Sequence, residues 1–244
     1  MKAPESIPGE MYDRYSMDGK VSVLYHYRND CSDEIQQMIN ANFTQEEYNK
    51  CVTRIENRET NYYLDTDTWL YQALDNFPIE GKHICIAGSA YPWYEAMAIV
   101  YGAEKCTVIE YSDRESFHPK IEYVKPGSEG DILFDACLSI SSYEHDGLGR
   151  YGDPLNPDGD LEAMQHMKKL LKKDGLMYLA VPAGRDKVYF NVHRVYGEKR
   201  YPLLIKNWEL VAKYGFAQET FSNNINTAHQ SPYQPVAWAK LSIK

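Results

Sequence analysis

The sequence predicts an α/β protein with a doubly wound, mostly parallel sheet and a helical N-terminal extension. Three observations carry this. From residue 82 onward short apolar runs alternate with amphipathic stretches, and those runs are apolar on successive residues. They also stop at a glycine, a serine or an acid. Strands covered on both faces read as continuous hydrophobic runs, and their alternation with helices belongs to parallel sheets.

The elements follow in order. Residues 1–60 are polar, and within them "CSDEIQQMINANF" and "TQEEYNKCVTRIENRE" each set a Ser or Thr ahead of acids, as a helix N-terminus requires. This gives a largely helical extension over 1–60 and a main domain over 61–244. "DTDTWLYQALDNF" is a further helix, with Asp65 or Thr66 near its cap and Pro78 past its end. "KHICIAG" is a strand. "PWYEAMAIVYGA" is a helix, with Pro92 suited to its first turn and Gly102 to its stop. "KCTVIEYSD", "IEYVKPG" and "ILFDACLSIS" are the next strands. "DLEAMQHMKKLLKKDG" is a helix with an acidic start, a lysine-rich end and Gly175 as its stop, a polarity that complements the helix dipole. "LMYLAVPAG" is a strand and "LLIKNWELVAKYG" a helical stretch. "FAQETFS" and "VAWAKLSI" close the sheet as an antiparallel pair.

Composition narrows the function classes. Hydrophobic residues make up 43% and charged residues 25%, as in a soluble globular protein. A net charge of −9 argues against a nucleic-acid partner. No apolar run is long enough to span a bilayer, and the first residues have no signal core. The five cysteines lack CxxC spacing, and three of them sit in apolar runs, which points to a reducing, cytoplasmic setting.

In such sheets ligands bind beyond the carboxyl ends of the strands. At the first, Gly88, Ser89 and Ala90 make a small-residue turn into a helix whose N-terminus offers N–H groups. At the second, Glu110 lies about 20 residues further on, where an acid binds two ribose hydroxyls. That pairing suits NAD and S-adenosylmethionine alike. At the third, "SSYEHDGLGRYGDPLNPDGD" brings Glu144, His145 and Asp146 onto a glycine-rich loop. His145 is the natural general base there, with Glu144 or Asp146 to orient its ring. Asp146, Asp153, Asp158 and Asp160 are also of the type that ligates Mg²⁺, but aspartate-rich loops are commonly just solvated, so no metal is assigned. A fourth cluster, "VPAGRDKVYFNVHRVYGEKRYP", collects Asp186, His193 and Arg194.

The order of "AGSAYPW", the acid at 110, "FDACLSIS" and "LLKKDGLMYLAVP" resembles class I S-adenosylmethionine-dependent methyltransferases, as does the antiparallel close. More narrowly, "GSAYPWYEAMAIVYGA", "SSYEHDGLGRYGDPLNPDGD" and "FNVHRVYG" resemble a methyltransferase-like family first labelled as a nematode protein of unknown function. That family has relatives in bacteria and large DNA viruses, among them a viral rhamnose O-methyltransferase domain. The resemblance spans residues 60 to 215. It implies a seven-stranded, Rossmann-like methyltransferase fold and methyl transfer from S-adenosylmethionine to a sugar hydroxyl, on a small molecule or a glycan, with association or fusion to glycosyltransferases. The first motif departs from the wider pattern by keeping Gly88 alone, with Ser89, Ala90 and Tyr91 where further glycines are common.

The expected site follows. Gly88, Ser89, Ala90, Trp93, Glu110, Tyr111, Ser112, Ser139 and Ser141 hold the cofactor, and His145 is the base with Glu144 or Asp146 as partner. Arg150, Tyr151, Asp153, Asp186, His193 and Arg194 hold the acceptor, with His193 as a reserve base. Two competitors share the fold: a nicotinamide oxidoreductase, and a non-catalytic cofactor- or glycan-binding module.

Overall fold

The computed structural model of the chain describes residues 3–28, 42–223 and, as backbone, 236–241. In chain order these form α1 (Gly9–Tyr15), β1 (Ser22–Tyr25), α2 (Gln45–Glu56), α3 (Asp65–Asn76), β2 (His83–Ala87), α4 (Trp93–Val100), β3 (Lys105–Ile109), β4 (Ile121–Val124) and β5 (Phe134–Ile140). They continue with α5 (Gly159–Leu170), β6 (Leu171–Ala180), β7 (Lys187–Phe190), β8 (His193–Val195), α6 (Tyr201–Leu204), β9 (Trp208–Tyr214) and β10 (Val236–Leu241).

The main sheet has the order β4-β3-β2-β5-β6-β10-β9. Five of its strands, β4, β3, β2, β5 and β6, run parallel, and β10 and β9 join them as an antiparallel pair. β2 carries why the strands read as apolar throughout. Ile84 and Ile86 face α2, α3 and α4, while Cys85 and Ala87 face the layer built by α5 and the chain after β6. Both faces are covered, so alternation with polar residues disappears. α2 starts where expected: Thr44 caps it with a reciprocal box to Glu47, whose side chain accepts the Thr44 N–H at 2.8 Å.

Several expected boundaries move. Residues 31–41 of "CSDEIQQMINANF" lie outside the described residues, and the rest of the extension is not helical throughout. Its strand β1 pairs in parallel with β7, which in turn pairs with β8 in a second, three-stranded sheet. Pro92 is the cap of α4 rather than part of its first turn. α5 ends at Leu170, not at Gly175, because Leu171 already pairs with Phe134 as a strand. The stretch "WELVAKY" is strand β9 and not helix. Its residues alternate, with Trp208, Leu210, Ala212 and Tyr214 buried or half-buried and Glu209, Val211 and Lys213 exposed, and its backbone pairs antiparallel with β10. β9 therefore replaces "FAQETFS" as β10's partner, and Thr220–Ser222 in that stretch forms a 3₁₀ turn.

Candidate functional site

β2 lies between β3 and β5, and all three run parallel, so Gly88, Glu110 and Ser141 emerge on one edge of the sheet. The chain reverses its direction of winding there: β3 and β4 lie on one side of β2, β5 and β6 on the other, which opens a crevice. A cavity of about 870 Å³ occupies it, within the usual range for a ligand site. Of the expected site residues, Gly88, Ser89, Ala90, Trp93, Glu110, Tyr111, Ser112, Ser141, Glu144, His145, Asp146, Arg150, Tyr151, Asp153 and His193 line it.

The first turn is shaped by sterics. Gly88 has φ +73°, and a Cβ there would meet Ser142 Oγ at 2.8 Å, so only glycine lets the two strand ends approach so closely. Glu110 ties the turn to β3: one carboxylate oxygen accepts the Ser89 N–H at 2.7 Å and the other the Ser112 N–H at 3.1 Å. Each oxygen keeps a further lone pair for a diol. Ser89 also donates its hydroxyl to Glu95, a fully buried acid in the first turn of α4. Burial pushes the Glu95 carboxyl up to about 7, against the opposing hydrogen bond from Ser89.

The third strand end carries the proton chemistry. Ser141 leaves β5 with φ +54°, in the left-handed region, and its hydroxyl donates to Glu144 Oε1 at 2.6 Å. Glu144 is fully buried, and burial raises its carboxyl to about 7 despite that bond. His145 presents Nδ1 to the carbonyl of Val192 at 2.6 Å. A carbonyl only accepts, so Nδ1 carries the proton and Nε2 is left as the acceptor. The sequence points to Glu144 or Asp146 as the group that orients the ring; in the structure Nδ1 is held by the Val192 carbonyl. Glu144 Oε1 approaches the other nitrogen, Nε2, at 3.7 Å. Burial, followed by the nearby Arg150 charge, holds the imidazole well below its ordinary pKa and thus neutral. The Tyr151 ring stands edge-on to it, centroids 5.5 Å apart. Burial and Asp153 together raise Asp146 well above the usual carboxylate range.

Three of the expected residues lie off the cavity. Ser139 is buried within β5, and its hydroxyl has no hydrogen-bond partner. Asp186 accepts three backbone N–H groups, from Gly197 at 2.9 Å, Lys199 at 2.9 Å and Arg200 at 3.0 Å. Arg194 is wholly buried and donates to the Asp146 carbonyl at 2.6 Å, with longer bonds to the carbonyls of Glu144, Asn156 and Pro157. It holds the backbone of the glycine-rich loop from behind. Asp160 completes that support, taking Arg200 Nε at 2.9 Å and the Tyr196 hydroxyl at 2.8 Å. Although burial opposes it, Arg194 and Arg200 keep the Asp160 carboxyl below its ordinary pKa. Asp153 lines the cavity but is engaged within the loop, where it accepts N–H groups from Gly147 at 2.7 Å and Gly149 at 3.0 Å. Asp158 pairs with Arg14 at 2.7 Å. Among the described residues, no group of three His, Cys, Asp or Glu side chains converges as a metal site would require.

Sequence reasoning missed several contributors. Arg28, Asn61, Tyr62 and Tyr63 line the cavity from the N-terminal side. Buried Asn191 fixes Arg28: its amide accepts the Arg28 N–H at 2.8 Å and donates to the Arg28 carbonyl at 2.9 Å. Glu129 and His166 line the cavity too, with 3.7 Å between Oε1 and Nε2. The Val192 carbonyl is a backbone group and leaves no trace in residue type. No helix among the described residues is long and apolar enough to cross a membrane.

Similar solved structures include N-methyltransferase NodS from Bradyrhizobium japonicum WM9, at 13% identity and TM-score 0.47, covering 72% of this chain and 93% of that one. A protein from Listeria monocytogenes, named a putative S-adenosylmethionine dependent methyltransferase, is 13% identical at TM-score 0.47, covering 71% of this chain and 97% of that one. A Streptococcus mutans protein described in the same terms is 11% identical at TM-score 0.46. There the match covers 73% of this chain and only 49% of the other, so the chain spans about half its length. No curated protein matches the sequence. Residues 81–237, well over half of the sequence, match one family throughout, and the chain belongs to it: the family described as Caenorhabditis protein of unknown function, DUF268.

Proposed function

We propose that this chain is an S-adenosylmethionine-dependent O-methyltransferase acting on a sugar hydroxyl, with His145 as general base. One observation carries the reading. The bond from His145 Nδ1 to Val192 leaves Nε2 as a proton acceptor in the same cavity that Gly88 and Glu110 line. The residues fit the cofactor: Gly88 admits close approach of a ligand to the backbone, and Glu110 keeps lone pairs for a ribose diol. Gly88, Ser89 and Ala90 hold its amino-acid portion, Glu110 its ribose, and Tyr111, Ser112 and Ser141 the adenine and methyl region. When bound, S-adenosylmethionine supplies an electrophilic methyl group on sulfur.

This chain's own residues then align an acceptor oxygen and take its proton. A sugar hydroxyl is a weak acid, which is why a neutral imidazole with a fixed tautomer suits it. Tyr151, Tyr62 and Tyr63 offer aromatic faces to a sugar ring, and Arg150 and His193 offer polar groups to its other hydroxyls. The acceptor class thus extends to free deoxysugars such as rhamnose and to glycans.

Calorimetric titration of the chain with S-adenosylhomocysteine, with NAD as control, is the first test. Micromolar binding of the homocysteine compound alone is expected; binding of NAD in its place would transfer the site to nicotinamide chemistry. His145→Ala is expected to keep that affinity and to lower methyl transfer to rhamnosides about 100-fold or more. Undiminished transfer would remove His145 from the role.

A further inference from the structure

The site contains a second proton acceptor that the reading above does not use. Glu144 is fully buried, and although Ser141 serves Oε1, Oε2 has no hydrogen-bond partner. A buried carboxylate oxygen without a donor is costly, and the same carboxylate's other oxygen, Oε1, lies 3.7 Å from His145 Nε2. Because Nδ1–H is committed to Val192, Nε2 is the ring's acceptor and Glu144 Oε1 is the carboxylate oxygen within 3.7 Å of it. A closure of about 1 Å turns that approach into a charge-assisted hydrogen bond once Nε2 is protonated.

We propose that Glu144 is the destination of the acceptor's proton: His145 Nε2 takes it from the hydroxyl and passes it to the Glu144 carboxylate. This rests on the methyltransferase reading and deepens it. The balance closes within the site. The acceptor's O–H bond breaks and its electron pair stays on oxygen, which forms the new bond to the methyl carbon, while the pair of the broken S–C bond remains on sulfur. The proton moves to Nε2, then to Glu144, and leaves to water through the cavity. The imidazolium is a poor resting place for it, since Arg150 and Arg194 add positive charge and burial disfavours the charged ring. Glu144 is the better one. It is raised to about 7 by burial, with Asp146, Tyr63 and Tyr196 also in its field and Arg150 and Arg194 lowering it. Glu144 takes the proton through His145, with no contact to the acceptor required.

NMR of the carboxyl carbons and imidazole rings of the full chain tests this without any ligand, with Glu144→Gln assigning the carboxyl signal. The Glu144 carboxyl is expected to titrate near neutrality, and the His145 ring signals to inflect at the same pH while keeping the shifts of a neutral ring protonated on Nδ1. In Glu144→Gln that inflection should vanish. In methyl transfer to a rhamnoside, kcat of the unmodified chain should rise through the same pH. Glu144→Gln should lower kcat about 100-fold with KM little changed, and Glu144→Asp should recover part of the loss. A Glu144 carboxyl titrating near its ordinary value, or a His145 inflection that survives Glu144→Gln, overturns the inference. Failure to bind S-adenosylhomocysteine would remove the underlying reading, whereas either NMR result against it removes the relay alone.

Discussion

His145 illustrates what a single residue owes to distant backbone. Its identity and its place after a strand are legible in the sequence, and so is its fitness as a base. Its tautomer is not, because the group that fixes it is the carbonyl of Val192, and every residue has a carbonyl. Asn191, next to that carbonyl, does comparable work by satisfying both backbone groups of Arg28 with one buried amide. Asn191→Ala strands those groups and should cost about 1–3 kcal/mol, read as a fall in thermal midpoint of several degrees. At Gly88 the test is sharper. An alanine Cβ would fall 2.8 Å from Ser142 Oγ on a backbone with positive φ, so Gly88→Ala should weaken S-adenosylhomocysteine binding in calorimetry while leaving the chain folded.

Among the elements, α5 shows how a correct pattern can conceal a stronger interaction. Its acidic start reads as a complement to the helix dipole, yet Asp160 also holds Arg200, Arg194 and Tyr196 in the interior. No local spacing announces that, since its partners come from the segment after β7. Replacing Asp160 by Asn leaves two guanidinium groups buried without their anion. A loss of about 3–5 kcal/mol is expected, measured by chemical denaturation. The glycine-rich loop should loosen with it, because Arg194 holds the loop's carbonyls. β9 failed to be read as a strand for a different reason. "LLIKNWELVAKYG" has helical spacing of its apolar residues, but pairing with β10 overrides propensity at the sheet's edge.

For the whole molecule, the parallel sheet and its ligand edge were legible because strands buried on two faces have a distinctive composition. The second sheet was not, since β1 and β7 are far apart in sequence and each is only four residues long. Buried acids also give the molecule a collective response to pH. Glu95 and Glu144 have folded values of about 7 against 4.5 ordinarily, so the native state holds protons that the unfolded chain releases. Each therefore costs stability as pH rises from about 4.5 to about 7, by up to roughly 3 kcal/mol. Asp160 has the opposite sign: its contribution is complete above the ordinary aspartate value and is lost as pH falls below it. The urea midpoint should accordingly be higher near pH 5 than near pH 8, and Glu95→Gln should flatten that decline.

The pairing of β1 with β7 bears on how the chain is made. A strand at residues 22–25 has no partner until residues 187–190 have left the ribosome, and the carbonyl that sets His145 arrives just after them. During synthesis the first turn and Glu110 can take shape on the nascent sheet while the proton-accepting side waits, with β1's edge unpaired in the meantime. Such long-range closure is slow and exposes an edge. Newly made chains should thus acquire cofactor affinity before they acquire activity, and mishaps of assembly should concentrate at that unpaired strand.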